Sequence, residues 1–241
     1  MRRNDHQFKL YCRERFMPLG FIYTDGCYAR IVNDVLQTFD FHFCGGGSPD
    51  YSIHFGTRPL CMNLFYPIGG MFNLVQLDMN AYSRGLGWRV IKNGKYDFSE
   101  VCYWMEHRVL PFFLSSDRCE NALQPLIEME NEMEENRRSV LLKEGRAERA
   151  FERKPFFRET VFAALKCKAY QTAISSLAYY CEIASENLRS DANRMTAVQL
   201  KNARQIEELY RLVRANNSLE IDAILSENEQ ESIVRLNKFG L

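Results

Sequence analysis

Residues 36–56, LQTFDFHFCGGGSPDYSIHFG, decide the fold because they predict two alternating strands joined by a glycine-rich reversal. Successive side chains of a strand point to opposite faces of a sheet. One face holds Phe39, Phe41, Phe43, Tyr51, Ile53 and Phe55. The other holds Asp40, His42, Ser52 and His54. We expect the aromatic face to be buried and the polar face to be solvated.

The residues before this pair extend it into an antiparallel meander. Residues 21–24 and 27–32 are short apolar runs on either side of Asp25-Gly26, a dipeptide that suits a tight hairpin turn because both positions accept positive φ. Together with residues 51–57, these runs predict an α+β fold. Its antiparallel sheet is expected to have four to six strands.

The second half of the chain has a helical pattern instead. Of the 31 aromatic residues, 22 lie at or before Leu114, and so do 11 of the 13 glycines. Aromatic residues and turn glycines favour strands and reversals, whereas the Glu, Arg, Leu and Ala of the later residues favour helices. We therefore predict an α+β domain over residues 1–115 and a helical region over residues 116–241 that packs on or beside it.

Several helices can be placed from local signals. A helix over residues 5–17 and helices near 98–138 are expected to cover one face of the sheet. Pro111 is predicted to separate two of these segments, since proline lacks the N–H that a helix interior needs. Further along, a break is predicted near Lys168, and Ser190 is predicted to cap the next helix.

The charge balance narrows the classes of function. Lys plus Arg and Asp plus Glu number 31 each, so a non-specific nucleic-acid binder is not expected.

The opening MRRNDHQFKLYCRER does not fit a signal peptide, and no window has the apolar length of a membrane span. The eight cysteines are scattered without a C-x-x-C pair, which indicates free thiols. We expect a cytoplasmic chain with no membrane partner and no cofactor.

The polar face of the strand pair gathers the residues that could carry chemistry. Two registers keep the aromatic face together, and they set His54 opposite either Asp40 or His42. An acid and two imidazoles at that spacing could bind a metal ion or act as an acid–base pair. Asp40, His42 and His54 are therefore the candidate catalytic residues, and His42 and His54 the candidate metal ligands. The alternative is a solvated outer face without chemistry.

The aromatic strand FDFHF, residues 39–43, also admits a sheet that stacks RNA bases. Such surfaces interleave Lys and Arg with the aromatic residues, and the nearest basic residues here are Arg30 and Arg58. Alternating aromatic residues are typical of a buried face, so core packing is the favoured interpretation.

The first half contains four short motifs in a fixed order. They are PLGF at residues 18–21, YARIVNDVLQ at 28–37, FDF at 39–41 and YSIHFG at 51–56. In this order they resemble a bacterial family known only as domain of unknown function number 4304. The resemblance covers residues 8–115 and implies a cytoplasmic bacterial α+β protein. That family has no established activity or catalytic residues to carry over.

These observations favour a non-enzymatic protein that presents a surface to another protein, with an immunity- or antitoxin-like role as one version. The charge is balanced, no complete catalytic constellation is present in the pattern, and stacked helix pairs often build grooves for partners. One alternative is a metal- or acid–base-dependent hydrolase centred on Asp40, His42 and His54. The other is an RNA-binding sheet.

Overall fold

The structure is a computed structural model that describes residues 6–43, 50–62, 75–76, 88–89, 91–92, 95–96, 98–145, 156–190 and 194–241. The described residues form two compact units. Of the described residues, those up to 58 and those within 66–118 and 234–241 belong to the first unit, and those within 59–65 and 119–233 belong to the second. The first contains a sheet and the helices of the second are C-terminal to it, so the predicted α+β class is confirmed.

The sheet belongs to the first unit. Its four longer strands, in this order across the sheet, are β1 (Ile22–Thr24), β2 (Cys27–Val32), β3 (Val35–Phe43) and β4 (Asp50–Pro59). Two strands of two residues, β5 (Val75–Gln76) and β6 (Trp88–Arg89), pair antiparallel with β4. A separate pair joins β7 (Ile91–Lys92) to β8 (Lys95–Tyr96).

The turns of the meander follow the sequence. Asp25 and Gly26 have φ angles of 47° and 86°, which confirms the tight hairpin turn between β1 and β2. Asn33 has a φ of 51° at the next reversal. The antiparallel register then sets Tyr28 directly opposite Phe39. Their rings stack 4.8 Å apart with planes only 7° from parallel, so both lie on one face of the sheet.

Five phenylalanines, each no more than 1% exposed, fill that face, and we call them the phenylalanine cluster. The ring centre of Phe39 lies 4.6 Å from that of Phe16 and 5.4 Å from that of Phe21. Phe113 lies 6.2 Å from both Phe39 and Phe55. The aromatic face is therefore buried at Phe39 and Phe55. The side chains of Phe41, Phe43 and Tyr51, predicted for the same face, lie outside the described residues.

Helices cover the phenylalanine cluster. They are α1 (His6–Arg15), α2 (Ser99–Trp104) and α3 (Leu110–Ser115), and a single π-helical turn (Met105–Val109) joins α2 to α3. The predicted separation at Pro111 is wrong, because this proline lies in the first turn of α3 and the segment runs on to Ser115. The wider turn before Pro111 leaves room for a ring that would otherwise clash with the carbonyl four residues earlier.

The π turn matches a four-residue repeat in the sequence. Val101, Met105, Val109 and Phe113 are each 0% exposed. An α-helix has 3.6 residues per turn, so each four-residue step would rotate the side chain by about 40°. A turn of i to i+5 hydrogen bonds offsets this drift. All four side chains therefore stay on the buried side of one continuous helical segment.

The second unit is helical. Its helices are α4 (Cys119–Lys143), α5 (Arg158–Lys166), α6 (Tyr170–Ser190), α7 (Ala197–Arg214) and α8 (Ser218–Leu236), the last of which ends among the residues of the first unit. Apolar residues of α5 to α8 form one core, with Leu165, Leu177, Leu209 and Leu212 each 0% exposed. Inside the described ranges, no helix is both long and apolar enough to cross a membrane.

The helix boundaries in this unit match the sequence at one predicted position and differ at another. Lys168 has a φ of 59° between α5 and α6, which confirms the predicted break. Ser190 does not begin a helix but ends α6. The next helix starts at Ala197, where Thr196 and Gln199 satisfy each other's backbone N–H groups in a capping box.

A buried amide ties the sheet to the end of α3. Gln37 on β3 is 0% exposed. Its Nε2 donates to the carbonyl oxygens of Phe113 at 2.7 Å and Ser116 at 2.9 Å, and its Oε1 accepts from Arg30 Nε at 2.8 Å. This one side chain therefore satisfies polar groups from β2 and from the C-terminus of α3.

Replacing Gln37 by leucine is expected to lower the free energy of unfolding by roughly 2 to 4 kcal/mol, because buried donors and acceptors then lose their partners. Urea unfolding followed by circular dichroism measures the change. Gln124→Leu, at an exposed position of α4, is the control. A Gln37→Leu protein within about 0.5 kcal/mol of the wild type would contradict this role.

Candidate functional site

Asp40 on β3 and His54 on β4 lie together on neighbouring strands. Asp40 Oδ1 and His54 Nδ1 are 3.3 Å apart, an ion-pair distance without the geometry of a hydrogen bond. This contact fits the predicted register that sets His54 opposite Asp40. The side chains of Asp40 and His54 keep only 11% and 14% of their exposure, so the acid and the imidazole are largely enclosed.

The polar face around this pair is not solvated at the positions that the structure describes. Leu36, Thr38, Asp40 and Arg58 are 0%, 2%, 9% and 5% exposed. Val35, Gln37 and Phe39 on the other face of β3 are buried as well, so the expectation of a wet outer face is wrong here. A strand covered on both faces loses the in–out contrast that alternation predicts.

The enclosed face also contains polar atoms without hydrogen bonds. Neither the Thr38 hydroxyl nor Asp40 Oδ1 has a hydrogen-bond partner among the residues described. Burying such groups unpaired costs free energy, and a bound water or small polar ligand would remove that cost. Thr38 and Asp40 lie two residues apart on one side of β3, so one such molecule could reach both.

The contact between Asp40 and His54 has a chemical consequence. A carboxylate beside Nδ1 favours the imidazole tautomer with its proton on that nitrogen. In that tautomer the lone pair of His54 would lie on Nε2, where a general base needs it. His54 would take the proton, and the Asp40 carboxylate, 3.3 Å from Nδ1, would favour the charged ring that results.

The structure brings two of the three candidate catalytic residues together. The third, His42, lies on β3 by its backbone, but its side chain is outside the described residues, as is that of Ser52. Where side chains are described, no three His, Cys, Asp or Glu residues gather in a group that could hold a metal ion. The candidate metal ligands His42 and His54 therefore stay a prediction.

Sequence reasoning missed a second candidate site on the helical segment that covers the phenylalanine cluster. Its side opposite the buried repeat carries Tyr103, His107, Pro111 and Leu114, all exposed, and we call this set the outward stripe. Tyr103 is 56% exposed and Leu114 is 59% exposed. The rings of Tyr103 and His107 are 4.2 Å apart. The four-residue spacing of the buried residues could have indicated this stripe, because it also determines which residues lie on the opposite side of the helical segment.

The π turn beneath this stripe is anchored to α1. Arg15 donates two hydrogen bonds to the carboxylate of Glu106, at 2.6 and 2.8 Å, and the Tyr11 hydroxyl donates a third at 3.0 Å. The hydrogen bonds from Arg15 are the main reason that the pKa of Glu106 lies below its usual value. Trp104 and Arg108 flank the stripe, and the Trp104 ring meets that of Tyr103 edge-on at 5.8 Å.

No protein-family model, curated protein or solved structure matches this chain. The resemblance of residues 8–115 to the unknown-function family number 4304 therefore stays a prediction.

Diethyl pyrocarbonate is expected to modify His107 much faster than His54 in the native protein, because His107 is exposed and the His54 side chain is 14% exposed. Peptide mapping by mass spectrometry gives both rates. In concentrated urea the two rates should converge, which controls for intrinsic reactivity. Equal rates in the native protein would show that the polar face is open.

Proposed function

We propose that this chain is a non-enzymatic protein that binds another protein through the outward stripe. The observation that carries the proposal is the exposure of Tyr103 and Leu114, at 56% and 59%, on a helical segment whose other side is fully buried. Interface residues that dominate binding energy are enriched in Tyr, Trp and Arg. Tyr103, Trp104 and Arg108 supply all three types within one stretch.

The rigidity of this surface supports the same proposal. The buried repeat fixes the segment from behind, and the contacts of Glu106 with Arg15 and Tyr11 fix the π turn from the side. A surface held in place before binding loses less conformational entropy when a partner docks. π turns within α-helices are also frequent at functional sites.

The setting of this proposal comes from the sequence. The resemblance of residues 8–115 implies a cytoplasmic bacterial protein. An immunity- or antitoxin-like role is one version of protein binding in that setting. A nucleic-acid partner is disfavoured by the balanced charge. The ring of Phe39, which an RNA-binding sheet would use for stacking, is 0% exposed.

Photo-crosslinking identifies the partner that the outward stripe binds. A p-benzoylphenylalanine at position 107 is expected to capture one protein in the native host, whereas the same residue in place of Tyr179, exposed on α6, is the matched control.

With the captured protein purified, Tyr103→Ala and Leu114→Ala should each weaken binding by about tenfold or more in calorimetry, because each removes apolar contact area. Tyr179→Ala should leave the affinity unchanged.

Two results would contradict the proposal. One is a partner that binds the wild type and Tyr103→Ala with equal affinity. The other is crosslinking only to a second copy of this chain, with sedimentation showing a dimer.

A second candidate function is acid–base catalysis at Asp40 and His54. The observation that favours it is their 3.3 Å contact in a largely enclosed position. An imidazole base with a carboxylate beside it suits hydrolysis of an activated ester.

Hydrolysis of p-nitrophenyl acetate and p-nitrophenyl phosphate tests this candidate. If His54 is the base, His54→Gln should lower the rate by roughly a hundredfold or more. Asp40→Asn should lower it as well, because the imidazole loses the negative charge beside it. Asp222→Asn, on the partly exposed side of α8, is the matched control. No hydrolysis by the wild type, or the same rate in His54→Gln, rules out this role on these substrates.

A further inference from the structure

The start of α5 is capped by a side chain from another helix. Glu130 on α4 accepts a hydrogen bond from the Phe157 backbone N–H at 2.7 Å and another from the Thr160 hydroxyl. Phe157 precedes α5 and has no capping side chain of its own. The first N–H groups of a helix need such partners, so Glu130 supplies a cap that the local sequence lacks.

This cap is a buried acid next to a second one. Glu130 is 8% exposed, and Glu159 in the first turn of α5 is 3% exposed. The pKa of Glu130 is raised from 4.5 to about 7, chiefly by burial and to a smaller extent by the nearby Glu159, while the hydrogen bonds from Thr160 and Phe157 offset part of the shift.

Among the described residues, charged and titratable groups near Glu130 lie on two further elements. Arg158 and Glu159 lie on α5, and Tyr180 lies on α6. The Arg158 guanidinium sits 5.9 Å from the Tyr180 ring, and the Tyr180 hydroxyl donates to the Phe156 carbonyl at 2.9 Å. Burial raises the pKa of Tyr180 to about 12, so this phenol keeps its proton where Glu130 titrates.

We propose that Glu130 makes the contact between α4 and the first turn of α5 sensitive to pH, because the closed contact holds a proton that the open one releases. This pH sensitivity does not depend on the binding that we propose for the outward stripe. When folding raises the pKa of an acid, its protonated form stabilises the folded state. This stabilisation is fully present below the pKa of the unfolded state and is lost as the pH rises through the pKa of the folded state. For Glu130 that window runs from 4.5 to about 7.

The size of the effect follows from the two pKa values. Opening of the contact is expected to become roughly tenfold more frequent between pH 6 and pH 8, since the open state gains more from ionisation than the closed one. The cap itself persists on both sides of the window, because a neutral carboxyl still accepts the Phe157 N–H through its carbonyl oxygen and its O–H can donate to the Thr160 hydroxyl.

Hydrogen exchange of the Phe157 and Val161 amides tests the proposal in the full chain. After correction for intrinsic rates, the wild-type protection factors should fall about tenfold from pH 6 to pH 8. Glu130→Gln keeps the shape and one acceptor but cannot ionise, so its protection should not change with pH. Glu128→Gln, exposed two residues away on α4, should behave like the wild type. No fall in the wild type, or an equal fall in Glu130→Gln, would overturn the proposal.

A second measurement decides the matter if Glu130→Gln does not fold. Carbon-13 NMR of the wild type should show the Glu130 carboxyl titrating near pH 7, and Thr160→Val should move that midpoint upward because it removes a donor that lowers the pKa. A midpoint near 4.5 in the wild type would overturn the proposal.

Discussion

The packing around the Phe39 ring is the interaction on which the first unit depends. That ring contacts Tyr28 from β2 and Phe16 and Phe21 from the segment between α1 and β1, and it lies within reach of Phe113 from α3. Burying such a side chain contributes about 1.5 to 3 kcal/mol, and each aromatic pair adds up to about 1.5 kcal/mol. The same packing fixes which side of β3 faces the helices. Asp40 and His54 meet on the other side as a direct result.

Local patterns in the sequence are enough to predict the four longer strands and the first turn. Alternation identified β3 and β4, and Asp25-Gly26 identified the hairpin, because both depend only on residues close in the chain. The enclosure of Asp40 and His54 was not predictable in this way. Whether the second face of a strand is buried depends on residues distant in sequence. A polar residue in an alternating pattern is therefore predicted to be solvent-exposed even where other parts of the fold bury it.

The helices also show where local sequence patterns predict structure and where they do not. Pro111 was expected to end a segment, but a π turn beside it absorbs the constraint, and tertiary packing of the four buried residues outweighs a local preference. The start of α7 was within reach, because Thr196-x-x-Gln199 is a capping box in the sequence. The capping role of Glu130 could not be predicted from local sequence, because this residue lies 27 positions before the Phe157 N–H that it caps.

The π turn between α2 and α3 also sets how this helix can change in length. A π turn closes its hydrogen bonds over one residue more than an α turn. Loss of one residue from Met105–Val109 would therefore return this turn to ordinary α geometry while the flanking segments keep their rotational phase. A loss in α3 would instead rotate every later residue by about 100°. Relatives that differ by one residue at this turn can thus keep the same inner and outer sides.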